Sequence, residues 1–196
     1  FTTPELMHLY KAQILSYIES STPGLHAAPS VLERMDRVQR RLLRELDIDE
    51  RAALRDYRLA PLPARRDMAM LGVLHKVSLG IAPAQLAALF PLRGSVVEHR
   101  YAHRMRHWRP LHSRQLLSHA EHDSTETMRR SLFGLVHCYN LLPQSVVDSG
   151  SVKVFQRKLQ VALGVYAAQS PDGDWPRLYS RGWRSLERRA LGRLVR

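Results

Sequence analysis

Pro29-Ser30-Val31-Leu32-Glu33-Arg34-Met35-Asp36-Arg37-Val38-Gln39-Arg40-Arg41-Leu42-Leu43-Arg44-Glu45-Leu46 is the stretch whose reading decides the fold. Val31, Met35, Val38, Leu42 and Leu46 fall at offsets 0, 4, 7, 11 and 15. That is the period of an amphipathic helix and predicts a continuous buried stripe. Ser30 with Glu33 three residues on has the spacing of a capping box, in which each side chain satisfies the other's backbone donor. The opposite stripe is Arg34, Arg37, Arg41 and Arg44, a solvent-facing row of guanidiniums. Asp47, Asp49 and Glu50 oppose the helix dipole at the far end and predict termination there.

Helical spacing continues on both sides of this stretch. Before it, Leu6, Leu9, Tyr10, Gln13, Ile14 and Tyr17 predict a helix entered at Pro4 and ended by Ser20-Ser21-Thr22-Pro23-Gly24. After it, residues 51–64 read as a short helical or irregular connector closed by Pro61-Leu62-Pro63. A third helix is expected from about Arg65 to Leu79, with Met68, Leu71, Leu74 and His75 inward and Gly80 as its stop. Pro83 opens a short fourth helix with Leu86, Leu89 and Phe90, ended by Pro91. Ser131 to Leu142 is apolar and stopped by Pro143. A final helix from about Ser151 to Ala168 buries Val152, Phe155, Leu159 and Ala162 or Leu163. Strand alternation is absent, so the expected class is all-α, an irregular bundle of about five to seven helices.

Four regions follow from this pass: 1–92 helical, 93–130 an exposed His/Arg-rich excursion, 131–170 helical, and 171–196 a loosely ordered basic tail. The excursion holds eight Arg and six of the ten His. Residues 177–196 carry seven Arg and one Glu, so +6 of the net +12 lies there.

With 44% hydrophobic residues in 196, the chain can bury a core, and disorder throughout is excluded. No apolar run approaches the roughly 18 residues of a membrane span, so no membrane partner is expected. One cysteine, Cys138, excludes an intrachain disulfide and any multi-cysteine zinc site. A reducing, intracellular compartment, nuclear or cytoplasmic, is the expectation. The chain opens at Phe1 without a basic and apolar leader, so no signal peptide is read there.

Chemistry is carried by placement of charge rather than by a catalytic motif. No Gly-rich phosphate loop, GxSxG or HExxH occurs, so no catalytic residues, cofactor or resident metal are expected. His99, His103 and His107 have zinc-compatible helical spacing, but no thiolate or nearby carboxylate completes the set. Asp172-x-Asp174 sits in turn-forming sequence, and Cys138 within an apolar helix reads as a packed small hydrophobe. Of thirty bases only four are Lys. Arginine suits phosphate forks and stacking on bases, and it serves solubility equally well. Arg34, Arg37, Arg41 and Arg44, with Arg65 and Arg66, are the candidate phosphate contacts. Arg104, Arg129, Arg130 and Trp108 add the basic and aromatic mixture of a single-strand contact.

The order of local motifs resembles one family. Leu9-Tyr10-Lys11 with Ile18-Glu19, then Met35-Asp36-Arg37-Val38-Gln39-Arg40-Arg41, then Leu59-Ala60-Pro61-Leu62-Pro63-Ala64-Arg65-Arg66-Asp67 look like the region after the palm in non-LTR (LINE-type, jockey-like) retrotransposon reverse transcriptases. His75 to Gly80 resembles that family's hinge-then-glycine segment. Arg129-Arg130-Ser131-Leu132-Phe133 resembles its arginine-serine-aromatic element, and Tyr139-Asn140-Leu141-Leu142-Pro143 its Trp-Asn-x-Leu-Pro. Ser151 to Leu159 resembles its final helix, which begins S-x-x-x-F. Tyr139 departs from the family's usual Trp, and no Tyr/Phe-x-Asp-Asp metal motif occurs. The resemblance implies a thumb-like, non-catalytic C-terminal region that grips RNA or an RNA/DNA hybrid by its phosphate backbone, beside an upstream polymerase palm. The other expectation is a degenerate or domesticated remnant that serves as a helical protein-interaction module.

Overall fold

The structure, a computed structural model, describes residues 1–21, 28–93, 112–117, 131–169 and 175–181. The elements are α1 (Thr3–Leu9), a π-helical segment (Tyr10–Leu15), α2 (Ser16–Ser21), α3 (Pro29–Glu45), α4 (Glu50–Tyr57), α5 (Leu62–Ser78) and α6 (Ala84–Leu89). They continue as α7 (Leu132–Asn140), α8 (Gln144–Val147), α9 (Val152–Gln169), a 3-10 turn (Trp175–Arg177) and α10 (Leu178–Arg181). The fold is all-α. Among the described residues the extended pairing is a lone bridge between Leu92 and Leu116. Helices outnumber the five to seven expected because the first is interrupted by the π-helical segment and because α8 and α10 are single turns without a readable period.

α5 is the central element, and its sequence explains why. Eleven of its seventeen residues are buried, including Met68, Met70, Leu71, Leu74 and Val77, so apolar positions surround the helix rather than lining one stripe. A helix apolar on all sides must be covered on all sides. α9, α7, α3, the 3-10 turn and α10 do so. Gly72 permits close approach to α9, since a Cβ there would lie 2.6 Å from Gln156 Nε2 and 3.1 Å from Val152 Cγ1. The helix begins at Leu62, earlier than Arg65, with Pro61 at its cap, and it ends at Ser78, two residues before Gly80, whose φ of +73° needs glycine. The expected inward residues Met68, Leu71, Leu74 and His75 are all buried.

His75 is fully buried, stacked on Phe155 at 4.1 Å, with Nε2 2.8 Å from the Ser149 carbonyl and Nδ1 3.1 Å from the Tyr139 hydroxyl. Tyr139 also donates to Ser78 Oγ at 2.8 Å. The polar atoms of this His75–Tyr139–Ser78 cluster thus have partners, as burial requires.

A second, smaller core joins Met7, Tyr10, Leu15, Leu43, Ala53, Leu59 and Leu62. The 51–64 connector is helical in its first part, as α4. Asp49 caps α4 by accepting from the Arg51 and Ala52 amides at 2.7 and 2.8 Å.

Four expectations are corrected. On α3 the buried residues are Leu32, Asp36, Gln39 and Leu43, whereas Val31 and Val38 remain 47% and 44% exposed. The buried face is rotated by one residue, about 100°, because Gln39 receives a bond from the Tyr10 hydroxyl and donates to the Ala60 carbonyl, and Asp36 holds Arg66. Ser30 does not cap α3, which starts at Pro29 after Ala28. The 93–130 region is not wholly an exposed excursion. His112, Gln115 and Leu116 are buried, with His112 Nε2 3.0 Å from the Tyr139 carbonyl and Asn140 exchanging bonds with Leu116. Nor is the 171–196 region a loose tail throughout, since Trp175, Leu178 and Tyr179 belong to the main core and Tyr179 donates to the Leu159 carbonyl at 2.6 Å. Residues 182–196 lie outside the described residues.

Candidate nucleic-acid interface

Because α3 buries Leu32, Asp36, Gln39 and Leu43, the helical period turns the opposite side outward. Arg34, Arg37, Arg41 and Arg44 occupy it, and all four are exposed. They recur three, four and three residues apart, so they form one row about 15 Å long at 1.5 Å per residue. Arg41 lies 4.0 Å from Glu45, a loose pair whose side chains are both more than two-thirds exposed. Among the described residues no carboxylate is within ion-pair distance of Arg34, Arg37 or Arg44. Such a row presents forked donors at the spacing a chain of phosphates can accept.

Arg65 and Arg66 do not extend the row. Arg66 makes a bidentate pair with Asp36, at 2.7 and 3.0 Å, and both side chains are nearly buried. It ties α5 to the inner face of α3. Arg65 donates through Nε to Glu19 at 2.6 Å, joining α5 to α2. Arg104, Trp108, Arg129 and Arg130 lie outside the described residues, as do His99, His103, His107, Asp172 and Asp174.

Beside the row lies a cleft that carries both signs of charge. It holds about 230 Å³ and is lined by Glu33, Asp36, Arg40, Glu50, Pro61 and Arg177, among others. Arg40 is bonded to Glu33, and burial pushes the Glu50 carboxyl above its ordinary value.

Two buried titratable groups lie apart from the row. Burial pushes the Cys138 thiol far up, away from the thiolate a nucleophile or ligand requires. Asp67, on α5, is 5% exposed, and its Oδ2 has no hydrogen-bond partner among the described residues. Burial raises its carboxyl to about 7, against hydrogen bonds from Ser180 and the charges of Arg66 and Arg177. In the sequence, Asp67 beside two Arg reads as a surface ion-pair partner. The unusual feature is its position between Arg66 and Met68 on a helix buried on all sides. Among the described residues no group of three or more His, Cys, Asp or Glu is arranged to hold a metal ion, and no helix is long and apolar enough to cross a membrane.

Compared with known proteins, the chain matches no family model, and no curated protein and no solved structure is significantly similar to it.

Proposed function

We propose that the chain is a non-catalytic nucleic-acid-binding segment, of the kind that follows the palm in a retroelement RNA-directed DNA polymerase, and that it grips template and primer by their phosphates. The observation that supports this is the α3 row: four arginines exposed on one side of a helix whose other side is buried, three of them outside any ion pair among the described residues. Backbone contact of this type is sequence-independent and strongly salt-dependent, because each neutralised phosphate releases counterions. The motif order that resembles non-LTR reverse transcriptases supports the same reading.

The test replaces Arg34, Arg37, Arg41 and Arg44 by Gln and measures affinity for single-stranded RNA and an RNA/DNA hybrid across a salt series. The expected result is weaker binding with a log–log salt slope shallower by about 3 for single strands. An unchanged slope refutes the row as the contact. Exposed Val31 and Val38 beside the row favour a second reading, a remnant whose α3 docks a partner helix. On that reading the wild-type chain binds RNA near background at every salt concentration.

A further inference from the structure

Two buried histidines meet the ring of Tyr139, and their hydrogen bonds answer a proton differently. His112 sets its ring edge-on to Tyr139 at 5.6 Å. Its Nε2 lies 3.0 Å from the Tyr139 carbonyl, which only accepts, so Nε2 carries the hydrogen. Its Nδ1 lies 3.1 Å from the Arg114 amide nitrogen, which only donates, so Nδ1 is bare. A second proton, on Nδ1, sets N–H against N–H and breaks this turn. His75 also donates through Nε2, to the Ser149 carbonyl, but its Nδ1 meets the hydroxyls of Tyr139 and Ser78 at 3.1 and 3.4 Å. A hydroxyl can turn from donor to acceptor, so the bonds of His75 survive protonation and those of His112 do not.

His112 belongs to a segment held mainly by polar bonds. The Ser113 amide donates to Gln144 Oε1 at 2.9 Å, Gln115 Nε2 to the Asn140 carbonyl at 3.1 Å, and the Arg114 guanidinium to the Ser78 carbonyl at 3.0 Å. Asn140 exchanges bonds with Leu116, the one side chain of residues 112–117 in the main core. Asp148, just after α8, is the carboxylate whose charge reaches His112, and it favours the imidazolium. Burial outweighs it and holds the ring below its ordinary value. Tyr139, on α7, stays neutral, because burial pushes its hydroxyl up to about 12.

We propose that His112 is a pH-sensitive latch: neutral, it docks residues 112–117 on α7 and α8, and protonated at Nδ1 it releases them. Release withdraws Leu116 from the core and frees Arg114 from Ser78. Docking is complete above about pH 6.5 and weakens by up to about tenfold per pH unit below it, because the released ring binds a proton that the docked ring refuses. The latch does not depend on the α3 row.

The experiment follows amide hydrogen exchange in the full chain between pH 7.5 and 4.5, corrected for the intrinsic rate at each pH. The opening constant of the Leu116 amide is expected to exceed that of Leu74, in the middle of α5, and to rise by about 10–100-fold from pH 6.5 to 4.5. His112→Gln offers a donor to the Tyr139 carbonyl and an oxygen to the Arg114 amide but does not titrate, so its Leu116 opening is expected to lose this rise. Equal constants at Leu116 and Leu74 mean that the segment opens only with the whole fold and overturn the latch. The same pH response in wild type and variant overturns it too. Ring nitrogen shifts of His112 in the wild-type chain decide the matter if the variant does not dock. The Nε2–H tautomer, uncharged at pH 6.5, is expected, and an Nδ1–H tautomer or half-titration at or above pH 6.5 refutes the proposal.

Discussion

Asp67 carries a carboxyl group where water does not reach it, and the sign of its effect on stability follows from that. Its ordinary value is 3.8, and the fold raises it to about 7. The folded state therefore holds the proton more tightly. The resulting stabilisation is complete below about 3.8 and is lost as pH rises through about 7. His75 and His112 act in the opposite sense, because burial lowers both and the folded state disfavours their charged forms. Their contribution is complete above about 6.5 and is lost on acidification. Asp67→Asn removes one side of this balance. It is expected to gain on wild type by about 2–4 kcal/mol between pH 4 and pH 8, and to fall more steeply than wild type below pH 6.5, in denaturant midpoints measured across that range. Parallel profiles for the two proteins contradict the assignment. None of this was legible in the sequence, where Arg65-Arg66-Asp67 reads as a run of surface charge. The burial is imposed by Cys138, Tyr179 and Ser180, which lie more than seventy residues away.

At the scale of elements, the sequence reveals a helix more readily than its facing. α5 and α9 were legible to within a few residues because their apolar positions are dense and their ends carry Pro, Gly or Ser signals. α3 was legible as a helix, with its arginine row outward, but its inner face was not. Its inward set includes the polar pair Asp36 and Gln39, whose partners Arg66, Tyr10 and Ala60 are remote in sequence. The candidate site was thus half readable. The row follows from period alone, whereas the loss of Arg65 and Arg66 to internal ion pairs needed the packing of α2 and α3 on α5. The same contrast gives a prediction. Asp36→Ala leaves the nearly buried Arg66 guanidinium without its counterion and is expected to cost about 2–4 kcal/mol. Glu33→Ala frees an exposed Arg40 and is expected to leave stability nearly unchanged. Urea denaturation of the two variants measures the difference, and equal losses argue against Asp36–Arg66 as the tie between α3 and α5.

At the scale of the whole molecule, two segments that composition alone placed outside the core belong to it. Residues 112–117 dock by hydrogen bonds to α7 and by Leu116, and the 3-10 turn with α10 closes the far side with Trp175, Leu178 and Tyr179. Both were illegible because each places only one to three apolar side chains, too few to make a period. A chain truncated after residue 169 is expected to lose cooperative unfolding and to bind a hydrophobic dye, and a truncated chain that unfolds like the full one contradicts this closure. Calorimetry and dye fluorescence distinguish these outcomes. The central position of α5 also sets a timetable for synthesis. Its synthesis is complete at residue 78, and among the described residues the last side chain that reaches it is Ser180. At roughly 5–20 residues per second, the nascent helix waits about 5–20 s for its cover, an interval in which a chaperone, rather than the rest of the chain, is the available partner.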